Sequence, residues 1–299
     1  MRIIFAGGSG FLGRALQARL TRDGHSVGVL TRHPNPARPD HVGWSPDGKG
    51  GAWAAALDGA HAVVNLAGEG IADRRWNEAR KQALRDSRLL ATRSIVTALR
   101  QVPNPPGVLI NGSAVGYYGA HGDELVTEAT PPGSDFLSDL CVNWEREAEQ
   151  ASGAARVAIV RTGLVMHPDG GALGAMLLPF RLGLGGPIGS GRQYMPWIHL
   201  DDWVSLVVSL MDTGVARGAF NATAPQPVTN ADFTRALGRA LKRPALVPMP
   251  GFGLRLLVGE FADSVLTGQR AIPARAEEMG FQFRFREVGP ALRDLVRPP

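Results

Sequence analysis

Gly7, Gly10 and Gly13 stand three residues apart, directly after the apolar run Ile3 to Ala6 and directly before a stretch with helical spacing. Glycines so placed let backbone N–H groups come close to an anion, and a helix that starts there turns its positive end towards it. Strand, glycine turn and helix in that order are what a dinucleotide pyrophosphate requires. Spacing alone carries little weight: with 38 glycines in 299 residues, composition yields about 0.6 chance GxxGxxG matches per chain. A second match, Gly183, Gly186 and Gly189, has Pro187 inside it, no clear strand before it and no helical pattern after it, so it reads as loop. The first match offers Gly7, Ser9, Gly10, Phe11 and Leu12 as contacts for a dinucleotide.

The next strand, Ser26–Leu30, runs into Thr31-Arg32-His33. A site for NAD places an Asp or Glu about twenty residues past the glycines, on the ribose 2′-hydroxyl. Here the nearest acid upstream, Asp23, lies in the turn before the strand, out of reach of a ribose. Arg32 can instead grip a 2′-phosphate through charge-assisted hydrogen bonds, and Thr31 can add its hydroxyl. The expected preference is therefore NADP(H) over NAD(H). Solvent exposure of Arg32 at a strand end is the plainer alternative.

These residues need a scaffold, and the apolar pattern supplies one. After the strand at about 2–6 come Leu12, Ala15, Leu16 and Leu20 at helical spacing, with Gly24 as the stop. Further strands are expected near 41–44, 62–67, 108–111, 157–160 and 219–222. Helices are expected at 51–57, 74–101, 134–152, 203–211 and 232–241. Strands that alternate with helices predict a parallel sheet with right-handed crossovers. Residues 167–200 are rich in Gly and Pro and read as a long functional loop. From Lys242 a proline-rich run introduces a C-terminal piece of about fifty residues, too small a core to stand alone.

Composition narrows the function further. The net charge is +5, yet Arg and Lys are scattered and not clustered with aromatics, which argues against nucleic acid. The densest basic run, Arg74 to Arg100, alternates with acids as on the wet face of a helix. The single cysteine, Cys141, excludes an intrachain disulfide and a cysteine zinc cluster. No stretch offers eighteen uninterrupted apolar residues and no charged leader precedes the first strand. A soluble, cytoplasmic protein without a membrane partner is expected.

Several blocks together resemble the extended short-chain dehydrogenase/reductase superfamily, in particular its atypical, NAD-dependent epimerase/dehydratase branch with a small extra C-terminal domain. They are Ala6-Gly-Gly-Ser-Gly-Phe-Leu-Gly13, Asn65-Leu-Ala-Gly-Glu69, Arg74-Arg-Trp76, Ser113-Ala-Val-Gly-Tyr-Tyr-Gly119, Phe136–Cys141 with Trp144-Glu145, Arg161-Thr-Gly163 and Trp197-Ile-His-Leu-Asp201. Gln269-Arg270, Pro273 and Gly280-Phe-Gln-Phe283 complete the match near the end. The resemblance implies that Leu66, Ala67, Gly68 and Glu69 line the ribose side of the cofactor. It also brings Leu164, after Arg161-Thr-Gly163, into the cofactor-lining set.

In this superfamily the chemistry rests on a Ser and on a Tyr-x-x-x-Lys, whose two side chains share one helix face. Ser113 matches the serine. The pair is absent: four residues beyond Tyr117, Tyr118 and Tyr194 stand His121, Gly122 and Ile198, and alignment on Trp144-Glu145 puts Leu137 and Cys141 at the Tyr and Lys positions. Three readings stay open. Tyr117 or Tyr118 replaces the base beside Ser113, although a phenol is a weak base at neutral pH unless something shifts it. A carboxylate or imidazole from Glu69, His199 or Asp201 serves instead, although a His before a helix-starting Asp suits a structural role. Or the protein binds NADP(H) without turnover, as a regulatory or redox-sensing module. Cys141, on the apolar face with Leu137, Leu140 and Trp144, reads as core.

The sequence thus predicts an α/β fold: a Rossmann-type doubly wound parallel sheet with a substrate-side lobe and a small C-terminal appendage. Residues 1–240 form the NADP(H)-binding domain, with lobe elements at about 167–200 and 225–240, and 245–299 the C-terminal domain. Ser113 and Tyr117 are the candidate catalytic residues of an NADP(H)-dependent oxidoreductase or nucleotide-sugar-epimerase-like enzyme. No metal site is expected. The substrate would be a small polar molecule, with Arg181, Arg192 and Gln193 leaving open a phosphorylated or nucleotide-linked one, and the protein a monomer or homodimer.

Overall fold

A computed structural model describes residues 1–297. The chain begins β1 (Arg2–Ala6), α1 (Phe11–Arg22), β2 (Ser26–Thr31), β3 (His41–Gly43), β4 (Ala62–Asn65) and α2 (Glu78–Gln101). It continues β5 (Val108–Ala114), β6 (Leu125–Val126), α3 (Phe136–Glu149), β7 (Arg156–Thr162), β8 (Leu164–His167) and α4 (Gly171–Arg181). Then follow β9 (Tyr194–Met195), β10 (Trp197–His199), α5 (Leu200–Asp212), β11 (Gly218–Ala222), β12 (Val228–Thr229) and α6 (Asn230–Leu241). The last elements are α7 (Gly251–Val258), α8 (Phe261–Thr267), β13 (Arg270–Ala271), α9 (Ala274–Glu278) and α10 (Val288–Leu295).

Seven strands form the central sheet in the order β11-β7-β5-β4-β1-β2-β3, all parallel. The order reverses between β1 and β4, where the chain leaves in opposite directions and opens a crevice at the carboxyl ends of the strands. Both faces of the sheet are covered, so its central strands are apolar throughout rather than alternating. Ile3, Phe5, Val64 and Val160 pack with Leu16 and Leu20 of α1 and Trp203 and Leu206 of α5. Ile4, Ala6, Val63 and Ile159 face the other way, onto Ile95 and Leu99 of α2 and Ala148 of α3. Burial of each such large side chain contributes about 1.5–3 kcal/mol.

Three expectations need correction. Residues 167–200 are no unbroken loop, because α4 lies inside them and β9 and β10 follow. Leu173, Leu177 and Phe180 recur at helical spacing and bury against Phe233 and Leu237 of α6; the surrounding glycines and Pro179 mask this pattern. The helix expected from 74 begins at Glu78, with the Asn77 side chain accepting the Arg80 N–H as its cap. Ala52–Ala56 is a short 3₁₀ turn. The second glycine triplet is loop, as its sequence context implies.

The C-terminal residues lie against the rest of the chain at several points. Strand β13 pairs in parallel with β6. The Asp202 carboxylate at the start of α5 accepts the backbone N–H groups of Arg284 (2.8 Å) and Phe285 (2.9 Å). Helix α10 buries Leu292 and Leu295 in the cluster that holds Phe233 and Leu237.

Candidate functional site

At the floor of the crevice the first glycine turn is fixed by steric need. Gly7 has a φ of +80°, and a Cβ there would lie 2.5 Å from the Leu66 carbonyl, so only glycine lets β1 and the end of β4 meet. A Cβ at Gly13 would lie 2.6 Å from the Gly7 carbonyl oxygen and 2.8 Å from the Gly8 Cα, so α1 can start this close to the turn only without side chains. No side chain caps α1, and its first turn holds no acid. Its leading N–H groups therefore face outwards unpaired by any side chain, beside the exposed Ser9 and Gly10. Phe11 packs on the β8–α4 turn, where a Cβ at Gly170 would sit 2.7 Å from its ring, and Leu12 packs on the core.

At the end of β2 the Thr31 hydroxyl accepts the His33 N–H at 3.2 Å. Arg32 is exposed and has no ion pair among the described residues. It lines a cavity of about 440 Å³ at the sheet edge, together with Trp44, Asp47 and Trp53. Across the crevice, the turn Asn65–Gly68 is held by a buried network. The Asn65 amide donates to Thr92 Oγ1 (2.9 Å) and to Asn111 Oδ1 (2.7 Å), and its Oδ1 accepts the Ala67 N–H. The indole of Trp144 donates to the same Thr92 hydroxyl at 2.9 Å. Glu69, just beyond, is exposed and paired with Arg80. The Arg88 guanidinium lies against Gly68, donates to the Glu69 carbonyl at 2.9 Å and sits over the Trp144 ring. Burial pulls its pKa down to about 10.

The far wall is a chain of buried polar groups between β5, α3, β7 and β11. Ser113 Oγ donates to Glu145 Oε1 at 2.6 Å. Arg161 donates to both Glu145 oxygens, at 2.9 and 2.8 Å, and to the Tyr118 hydroxyl at 2.9 Å. Tyr118 in turn donates to Asn221 Oδ1 at 2.7 Å. Burial disfavours the Arg161 cation, but the Glu145 contacts more than offset it and raise its pKa. Burial pushes Tyr118 up to about 12, so it stays a neutral phenol. The Tyr117 ring lies over the Arg161 guanidinium, 3.4 Å from carbon to ring centre. Its hydroxyl has no hydrogen-bond partner among the described residues, and the side chain is half-buried. Leu137 and Cys141 stand one turn apart on α3, and burial pushes the thiol up to about 11.

With this geometry, residues 3–223 match the model of the NAD dependent epimerase/dehydratase family, and residues 249–295 match a domain of unknown function, DUF1731. An epimerase family protein of Mycobacterium bovis is 45% identical over 294 residues, covering 97% of this chain and 96% of its own. The chain belongs to the NAD dependent epimerase/dehydratase family. Within this family it is also 39% identical over 300 residues to human epimerase family protein SDR39U1, covering 99% of this chain and 100% of that protein. The crystal structure of human SDR39U1 (isoform 2) with NADPH superposes with a TM-score of 0.92 at 38% identity, over 99% of each chain. A nucleoside-diphosphate sugar epimerase from Corynebacterium glutamicum superposes at 0.81 with 32% identity, over 99% of this chain and 58% of that one.

For an epimerase-family chain, the structure separates the expected residues into groups. The glycine turn and the Leu66–Glu69 turn flank one crevice; Ser113 lies near the end of β5 and Tyr117 in the turn that follows it. Leu164 sits at the start of β8; its N–H donates to the Pro196 carbonyl at 2.7 Å and its side chain packs with Trp197 and Met195. His199 is the cap of α5: Nδ1 accepts the Asp201 N–H at 3.0 Å, and the ring stacks on Phe285 at 4.0 Å. That is the structural role its position before Asp201 suggests. Gln193 is buried and donates to the Ile188 carbonyl, whereas Arg181 and Arg192 are exposed. Sequence reasoning assigned no role to Glu145, Arg161 or Arg88. The signal for the first two was present, an acid on the face of Leu137 and Cys141 and a cation inside an apolar strand.

Proposed function

We propose that the protein is an NADP(H)-dependent oxidoreductase or epimerase-like enzyme for a small polar substrate, working without the Tyr–Lys pair. The cofactor part rests on the glycine turn, where the Cβ clashes and the uncapped start of α1 fit a pyrophosphate laid against backbone N–H groups. Gly7, Ser9, Gly10, Phe11 and Leu12 would surround it. Thr31 and Arg32 would take the 2′-phosphate, and Leu66, Ala67, Gly68, Glu69 and Leu164 would line the rest. NADP(H), when bound, gives or takes a hydride at its nicotinamide ring. The NADPH in human SDR39U1 supports the same choice here. The matches at 3–223 and 249–295 favour a division close to 1–240 and 245–299.

The observation that carries the catalytic assignment is the free hydroxyl of Tyr117 beside a wall whose other hydroxyls are engaged. The proton of Ser113 is held by Glu145 and that of Tyr118 by Asn221, so Ser113 orients a substrate only as an acceptor. Tyr117 is left as the phenol able to give a proton to a developing oxyanion. A second reading, a noncatalytic NADP(H)-binding regulator, is favoured by Leu137 and Cys141, neither of which can shuttle protons at neutral pH.

Loss of NADPH absorbance on addition of sugar nucleotides, ketones or quinones separates the two. The enzyme reading predicts turnover with one such pool and a fall in kcat of about 10²–10⁴ in Tyr117→Phe, with NADPH affinity unchanged. Absence of turnover with every pool supports the regulator. The Corynebacterium relative makes nucleotide-linked sugars the first pool to try.

A further inference from the structure

The loop that carries the second glycine triplet builds a platform. A Cβ at Gly186 would lie 1.9 Å from the Val247 carbonyl oxygen, and a Cβ at Gly185 would enter the Phe180 ring. These glycines let the segment 247–249 lie alongside 185–189, where Val247 N–H donates to Gly185 and Met249 N–H to Pro187. Helix α7 follows at once. Its last turn is held from one side by Arg75, which donates to the Arg255 and Leu256 carbonyls, and Arg255 is paired with Asp263 at 2.7 Å. So anchored, α7 buries Leu254 and turns Phe252 (75% exposed) and Leu256 (73%) outwards. Leu246 (82%), Leu184, Leu182 and Leu178 project from the neighbouring loop ends and from α4. Apolar side chains this exposed on connected elements mark an interaction surface.

Cations outnumber acids around them, Asp263 being paired with Arg255 and Asp232 with Arg235. Residues 170–200 and 233–259 contain seven Arg and Lys and neither Asp nor Glu. Arg181, Arg192, Arg239, Lys242 and Arg243 are exposed and form no ion pair among the described residues. A second copy of the chain is a poor occupant, because a two-fold contact would set these cations against themselves. Projecting aliphatic and Phe side chains on the same connected segments as unpaired cations suit an interface that is anionic outside and hydrocarbon within.

We propose that this face, formed by α4, the 182–189 loop and the 242–257 segment, docks the protein on an anionic lipid surface. No described helix is long and apolar enough to span a membrane, so the contact is interfacial. Phe252 and Leu256 enter the boundary between headgroups and acyl chains, and the cations hold the headgroup phosphates.

Sedimentation of the full chain with vesicles of phosphatidylglycerol and phosphatidylcholine, or of phosphatidylcholine alone, tests this. Binding is expected to the anionic vesicles, weakened about fivefold for each cation removed in Lys242→Gln/Arg243→Gln and at least about tenfold in Phe252→Ser/Leu256→Ser. Both variants alter exposed side chains, and an unchanged melting temperature with retained NADPH binding shows them folded. Equal sedimentation with both vesicle types, none with either, or no effect of the substitutions overturns the proposal. So does a dimer that forms without lipid and dissociates in Phe252→Ser/Leu256→Ser, which would give the face to a second copy.

Discussion

Glu145 shows how one buried side chain joins three parts of the candidate site. It takes the proton of Ser113 and both arms of Arg161, and through Arg161 it fixes Tyr118 and the ring of Tyr117. With Arg161 buried, removing its partner leaves a charge in the interior with nothing to offset it. Glu145→Ala should therefore lower the unfolding free energy by about 3–5 kcal/mol, measured by urea denaturation. A loss under about 1 kcal/mol would mean that water already screens the pair. Little of this was legible in the sequence. Glu145 and Arg161 stand in recognisable motifs, but motif reading does not say that a strand cation and a helix acid sixteen residues away will meet in the core.

At the scale of elements, the β1–turn–α1 unit was the most legible. Its order follows from close backbone approach, which only glycine permits. Gly13→Ala puts a methyl 2.6 Å from the Gly7 carbonyl oxygen, so it should cost about 1–3 kcal/mol and weaken NADPH binding, as thermal unfolding with and without NADPH would show. Helix α4 was the least legible, since glycines on either side hide its apolar period. Helix α5 carries a pH dependence. His199 caps it with an unprotonated Nδ1, and burial lowers the imidazole's pKa below the ordinary 6.5. The unfolded chain then takes up a proton before the folded one does. Stability from this group is complete above about pH 6.5 and is lost as pH falls below it. Replacing His199 by Asn keeps a capping oxygen and should flatten the fall in melting temperature below that pH; an equal fall in both proteins would place the effect elsewhere.

For the whole molecule, alternating strands and helices with right-handed crossovers make a parallel sheet, which is why the fold class was readable along the chain, whereas the order β11-β7-β5-β4-β1-β2-β3 came only from the structure. The lobe and the C-terminal elements were less so, because their contacts join segments distant in sequence, as Asp202 does with Arg284 and Phe285. The account holds that one end of the sheet binds NADP(H), selected by charge at Arg32, while the wall beyond it lacks the family's proton pair. Calorimetric titration of the full chain with NADPH and with NADH, repeated on Arg32→Ala, tests the central part most directly. Loss of a charge-assisted contact to the 2′-phosphate is worth about 1.5–3 kcal/mol. NADPH should thus bind about ten- to a hundredfold more tightly than NADH, and the gap should close in Arg32→Ala; equal affinities in the unaltered protein would contradict the account.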